Sequence, residues 1–318
     1  MQFFKKYGFQ ILKWLIFFAS LYYLINQIAF HQNLSSIFTS IIFSAFSILL
    51  LISTIALMVV NWGIEALKWK ISVKEIHPIT FKTALASVFA GTSVSLFMPN
   101  RTGEFAGKIF ALPKEKRTEG IFASVVTSFA QFNITLITGI LALCYFFYFY
   151  PENIFTLKYY SIIILLPLAL ITLLSLLLYF KIQWFEKFFH NINFLKKYSE
   201  KAKVLSSYNF SSLHLIFFLS LVRYLVFLLQ FHILIRFFGL TIPVPESILC
   251  IVLTFYVTTV IPTFSLSEIG VRSSVSILFF GFFNQPAVEV IAATSLLWII
   301  NVATPAMIGN YFVVRFRN

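Results

Sequence analysis

Two glutamates lie where glutamate is costly. The 318-residue chain has no aspartate and eleven glutamates, and Glu104 and Glu268 fall deep within long apolar runs. Each has basic residues at helical spacing: Arg101 is three before Glu104 and Lys108 four after it, and Arg272 is four after Glu268. Side chains three or four apart share one face of a helix, so each set can meet side by side. Charge at membrane depth is expensive and is kept where it faces a polar cavity. The chemistry on offer is capture of an anion by a basic group, with the carboxylates orienting the cations or exchanging a proton. The plainer reading is a structural ion pair at a kinked helix end, where glutamate already complements the dipole.

Both sets sit in Pro-containing interruptions, Pro99-Asn100-Arg101-Thr102-Gly103-Glu104 and the stretch from Pro262 to Gly270. Pro99 and Gly103 break the first run and free backbone N–H groups at the start of the next half-helix, a natural anion site. Irregular backbone at that depth is tolerated inside protein or beside water. Arg223 either points into the same cavity or bonds a helix-end carbonyl, and Arg236, near the outer end of its run, is expected to snorkel. The candidate substrate-binding or translocation set is therefore Pro99, Arg101, Gly103, Glu104, Lys108, Arg223, Pro262, Glu268, Gly270 and Arg272. The five histidines (His31, His77, His190, His214 and His232) are scattered, and none pairs with an acid at ligand spacing. Cys144 and Cys250 lie in apolar runs without CxxC spacing and read as buried small hydrophobes. Neither a catalytic constellation, a metal nor a cofactor is expected.

The elements that must position these groups are membrane spans. Apolar residues make up 59% of the chain and charged ones 11%, where a soluble domain carries about a quarter charged. The mean hydropathy is +0.90. The expected fold is an all-α polytopic membrane protein, a single membrane domain over 1–318. About 20 helical residues cross a bilayer, and plain runs of that size are 9–29, 37–61, 120–149, 159–180, 213–238 and 288–313. Runs 83–112 and 247–283 carry the interruptions and read as re-entrant hairpins. Among the eleven glutamates only Glu104 and Glu268 then fall deep within a membrane-embedded run. With a cytoplasmic amino terminus, this threading puts eighteen Lys and Arg inside, Lys68 among them, against Lys158 alone outside. That is the positive-inside pattern. It also assigns the net charge of +13 to loops rather than to nucleic-acid binding. Six spans and two hairpins place both termini in the cytoplasm. The halves, about 1–150 and 151–318, then enter from opposite sides, as an inverted repeat does. Residues 182–212 mix aromatic and basic side chains, which suits either an anionic leaflet or an ordinary cytoplasmic loop.

The motif Pro99-x-Arg101-x-Gly103-Glu104, followed by a charged loop and Ala123-Ser124-Val125-Val126, resembles the first signature of the lysylphosphatidylglycerol synthase transmembrane region, a flippase-like family. Pro262 through Gly270-Val271-Arg272 resembles its second signature, and the resemblance covers nearly the whole chain. Glu268 stands where the family has glycine, Ser273 where it has glutamate, and Ser128 and Gln131 occupy the helix where an arginine and an acid are usual. The best-known members join this region to an aminoacyl-transfer domain, which the sequence lacks, so synthesis of aminoacylated lipid is not expected.

The resemblance implies a flippase-type transporter in the bacterial inner membrane, moving an anionic lipid or lipid-linked amphiphile between leaflets. Arg101, Arg272 and Arg223 would hold the head group, and Glu104 and Glu268 would orient them. Two other classes remain open: a membrane-embedded lipid-modifying enzyme, and a non-transporting partner that docks a lipid synthase or glycosyltransferase.

Overall fold

The computed structural model describes residues 22, 44–96, 98, 102–150, 155–192, 196–261 and 265–317. Apart from Tyr22, the expected span 9–29 lies outside them, as do the patch residues Pro99, Asn100, Arg101 and 262–264, Pro262 included. Among the described residues every regular element is helical. Helix α1 (Ala45–Ser72) starts where the Ser44 hydroxyl accepts from the Ser47 N–H at 3.2 Å. Helix α2 (Phe81–Ser95) starts in the same way at Thr80. Such caps satisfy backbone donors that lipid cannot. A six-residue helix, α3 (Gly103–Lys108), follows, then the long α4 (Arg117–Phe149), α5 (Phe155–Phe180) and the short α6 (Trp184–Asn191).

Helix α7 (Phe210–Phe237) is capped by the side-chain amide oxygen of Asn209, which accepts from the Ser212 N–H at 2.7 Å. It ends at Gly239, whose φ of 77° lies in the region that favours glycine. Arg236, expected to snorkel, donates to the carbonyls of Leu240 (3.4 Å) and Ile242 (2.7 Å) in the turn that follows the helix. The remaining helices are α8 (Val244–Val260), α9 (Ser265–Gly281), α10 (Ala287–Trp298) and α11 (Thr304–Arg317). A π-helical stretch, Ile299–Ala303, joins the last two.

Five stretches are long and apolar enough to cross a membrane: Ala45–Ser72, Lys114–Phe149, Ile162–Phe180, Phe210–Phe237 and Ala287–Phe316. They correspond to five of the six plain runs. The first of them corrects the sequence reading, because α1 continues beyond residue 61 to Ser72. Glu65 and Lys68, assigned to the loop side of the run, therefore lie inside the span, 3% and 1% exposed. An apolar run of sufficient length hides such a continuation, since nothing local marks whether a helix stops when its charges begin. Cys250 is buried as expected and donates to the Phe279 carbonyl, whereas Cys144 is exposed on the outer face of α4.

The two interrupted runs each fold back on themselves. In the first, a Cβ on Gly103 would fall 2.5 Å from the Val94 carbonyl oxygen, and one on Gly107 would fall 2.4 Å from the Gly91 Cα. Only missing side chains let α2 and α3 lie antiparallel at that distance. In the second, the Cys250–Phe279 contact and the Ser276–Thr254 hydrogen bond pair α8 with α9 antiparallel.

The packing recurs when the halves are exchanged. Helix α2 packs on α11 as α8 packs on α4, α1 packs on α2 as α7 packs on α8, and α3 packs on α4 as α9 packs on α10. Helices α1 and α7 pack on each other. Glycines mark the two equivalent crossings: Gly139 of α4 lies under Tyr256 of α8, and Gly309 of α11 lies under the Phe89 carbonyl of α2. Two apolar clusters result, one centred on each half, with α4 and α7 contributing to both. Helix α5 turns Ile163, Leu166, Leu170 and Leu174 outward among the described residues, an apolar face suited to lipid.

A Cβ at Gly309 would meet the Phe89 carbonyl oxygen at 1.9 Å, whereas one at Gly63 meets nothing within 4 Å. Gly309→Ala is expected to lower stability by about 1–3 kcal/mol as α11 is forced off α2. Gly63→Ala should be neutral or slightly stabilising. Thermal unfolding in detergent compares them, and equal behaviour would contradict the close crossing.

Candidate functional site

Glu65 projects from α1 into the space between α3 and α7 and gathers three cations. Its carboxylate accepts from Lys108 at 2.7 Å and from Lys68 at 3.1 Å, and Arg223 lies 3.4 Å away. Lys108, fully buried, also bonds Glu104 at 2.6 Å. Among the described residues three positive charges thus face two negative ones, a surplus of one. At low dielectric such a surplus is felt strongly by any anion that enters. Gln131 of α4 joins the group: its amide oxygen faces Lys68 and Arg223, each at 3.5 Å, and its NH2 donates to the Ser220 carbonyl at 3.3 Å.

Two cavities meet here. One, of about 250 Å³, is lined by Trp62, Glu65, Lys68, Glu104, Gln131 and Arg223, with hydroxyls from Thr92, Ser95, Thr127, Ser128, Thr135 and Thr259. The other, of about 160 Å³, is lined by Tyr224, Phe227, Phe255, Thr258 and Arg272, and shares Gln131, Thr135, Arg223 and Thr259 with the first. Arg223 therefore stands on both. Its guanidinium carbon lies 5.5 Å from the Trp62 ring and 5.6 Å from the Phe227 ring, and its buried Nε has no hydrogen-bond partner. A guanidinium held by long contacts and two ring faces keeps donors for a planar, two-oxygen acceptor such as phosphate or carboxylate.

Of the residues expected from the sequence, Glu104, Arg223 and Arg272 line these cavities. Lys108 lies behind the first, clamped between Glu65 and Glu104. Glu268 bonds Arg272 at 2.5 Å, four residues apart as the spacing implied. This ion pair repeats Glu104–Lys108 at a constant interval, since 268 − 104 and 272 − 108 both equal 164. Gly103 serves the α2–α3 contact, and Gly270 is half-buried on α9, away from both linings. Helix α3 spans six residues and Thr102 provides no side-chain cap, so side-chain charge rather than a long half-helix dipole dominates at this position. Among the described residues no three of His, Cys, Asp and Glu stand close enough to hold a metal ion.

The sequence reading missed Glu65 and Lys68. The signal that could have found them is the face Trp62, Glu65, Lys68 and Trp69, which repeats at three and four residues beyond the apolar run. It also treated Ser128 and Gln131 as departures from a charged pattern, yet both line the first cavity.

Removing the central carboxylate should leave three cations uncompensated. Glu65→Gln is expected to cost about 3–5 kcal/mol of stability. Combining it with Lys108→Met should recover part of that loss, a coupling that a double-mutant cycle in detergent reads directly. Strict additivity would mean that the two side chains do not depend on each other.

No curated protein and no solved structure matches the chain. The family model described as the lysylphosphatidylglycerol synthase TM region matches residues 10–309. That span includes α1–α10, both hairpins and every charge of the cluster, and the chain is a multi-pass membrane protein belonging to the lysylphosphatidylglycerol synthase transmembrane-region family, whose setting is lipid metabolism or flipping.

Proposed function

We propose that the protein is a flippase-type transporter that moves an anionic lipid or lipid-linked amphiphile between the leaflets of a bacterial plasma membrane. The observation that carries this reading is Arg223, which stands on both cavities beside a cluster with surplus positive charge. A head group drawn in by that surplus meets Arg223 first from the Glu65 side and then passes to Arg272, with Arg101 the further basic residue of the motif. Glu65, Glu104 and Glu268 orient the cations and keep the empty site from collapsing on itself. The hydroxyl-rich lining replaces water around the head group, while the tails stay in lipid.

In this reading the fold is an inverted repeat of two halves, with the hairpins α2–α3 and α8–α9 re-entrant from opposite faces and both termini cytoplasmic. The exchange-symmetric packing and the constant 164-residue interval between the ion pairs support it. Moving Lys68 and Lys70 from the loops into the span Ala45–Ser72 leaves sixteen of the eighteen cytoplasmic charges, so the orientation argument stands.

Translocation of a labelled anionic lipid in reconstituted vesicles tests the transport itself. Arg223→Gln is expected to slow it about 10–100-fold, the worth of one charged hydrogen bond at a buried site. Lys116→Gln, which removes only a surface pair with Glu119, should leave it intact. An unchanged rate in Arg223→Gln would sink the transporter reading. Turnover of lipid by the purified protein would then favour an enzyme, and a stoichiometric copurifying synthase would favour a docking role.

Cysteine accessibility in intact cells tests the topology, on a background with Cys144 and Cys250 replaced. Thr118→Cys is expected to label only from inside and Asn284→Cys from outside. Outside labelling at Thr118 would make the first interrupted run a plain crossing and remove the inverted repeat.

A further inference from the structure

Away from the central cluster, α2 and α11 run antiparallel. They touch closely where the Phe89 carbonyl meets Gly309 and where Ser93 donates to the Asn310 amide oxygen. Toward the start of α2 they part. Lys82, Thr83 and Ala86 on one side and Phe312, Arg315 and Phe316 on the other enclose a cavity of about 310 Å³. It shares no residue with the two central cavities. Lys82 and Arg315 are exposed and have no carboxylate partner among the described residues. The Thr83 hydroxyl is already engaged with Thr80 in the helix cap.

The position of this cavity defines its solvent. It lies at the end of the spanning segment Ala287–Phe316, where hydrocarbon gives way to head groups. Two uncompensated cations stand beside two phenyl rings and an alanine methyl, so an occupant needs an anionic end and an apolar end. A free phosphate would satisfy Lys82 and Arg315 but leave Phe312 and Phe316 bare. We infer that an anionic phospholipid docks between α2 and α11, its phosphodiester held by Lys82 and Arg315 and an acyl chain laid along Phe312 and Phe316. Bound there it is a resident lipid rather than cargo, and it ties the first hairpin to the last helix at the wide end of their crossing. The site stands whether or not the central cavities transport anything.

The test uses the full chain in detergent, with native mass spectrometry and thermal unfolding during titration with phosphatidylglycerol, phosphatidylcholine or soluble glycerol 3-phosphate. Each cation facing an anionic lipid is worth about fivefold, so Lys82→Gln/Arg315→Gln should weaken phosphatidylglycerol binding about 25-fold. The same variant should leave phosphatidylcholine binding unaltered. Lys82→Arg should retain the lipid, which separates loss of charge from loss of fold. Arg223→Gln, in the central chamber, should also retain it. Equal retention of phosphatidylglycerol by the wild type and the double variant would overturn the site. Loss of the same lipid in Arg223→Gln would move it to the chamber and overturn the site equally. Binding of glycerol 3-phosphate as tight as that of the lipid would overturn the lipid assignment in favour of a soluble anion.

Discussion

A charge inside a bilayer has few partners, and the constraint on which this structure depends is that Glu65 must serve three of them. Lys68 comes from its own helix, Lys108 from the α2–α3 hairpin and Arg223 from α7. Removing an ion from water costs several kcal/mol, repaid only where geometry is good and every lone pair is used. The cluster therefore fixes the relative position of α1, α3 and α7 at one point. The glycines of the first hairpin follow from the same requirement. Gly91, Gly103 and Gly107 let α3 lie close enough to α2 for Lys108 to reach inward between Glu104 and Glu65.

Around that point the helix pairings recur between the two halves while not all of the charges do. Glu104–Lys108 has its counterpart in Glu268–Arg272. Glu65, Lys68 and Arg223 have no such counterparts among the described charged residues, since the positions at similar depth in the other half carry neutral side chains such as Gln230, which is spent on the Thr54 carbonyl. The charge therefore differs between the two cavities, with a positive surplus beside Glu65 at the first and a balanced Glu268–Arg272 pair at the second. Arg223 lies between them and touches both cavities.

Substitution within the family pattern is easier to understand in this light. Gln131 carries no charge, yet its amide oxygen faces two cations and its NH2 holds a carbonyl of α7. An amide can orient cations without cancelling them, and that preserves the surplus charge of the site. An acid at the same place would neutralise it.

The sequence by itself determined the class, most of the spans, the two interruptions and the local ion pairs. Apolar run length and helical spacing are properties of the chain, and Glu104–Lys108 and Glu268–Arg272 need only four residues to meet. It could not decide where α1 ends, because a helix passes from lipid into protein without any local mark, and the 37–61 run was already long enough to cross. Glu65 and Lys68 consequently read as loop charges. Arg236 was likewise read by its distance along the run, although the turn at Gly239 brings the carbonyls of Leu240 and Ile242 within its reach. Only the tertiary structure decided that Glu65 meets Lys108 across 43 residues and that Gln131 meets Arg223 across 92. Such pairings depend on which helices cross and at what depth. That is set by glycine contacts and by the shared need of buried charges for one another.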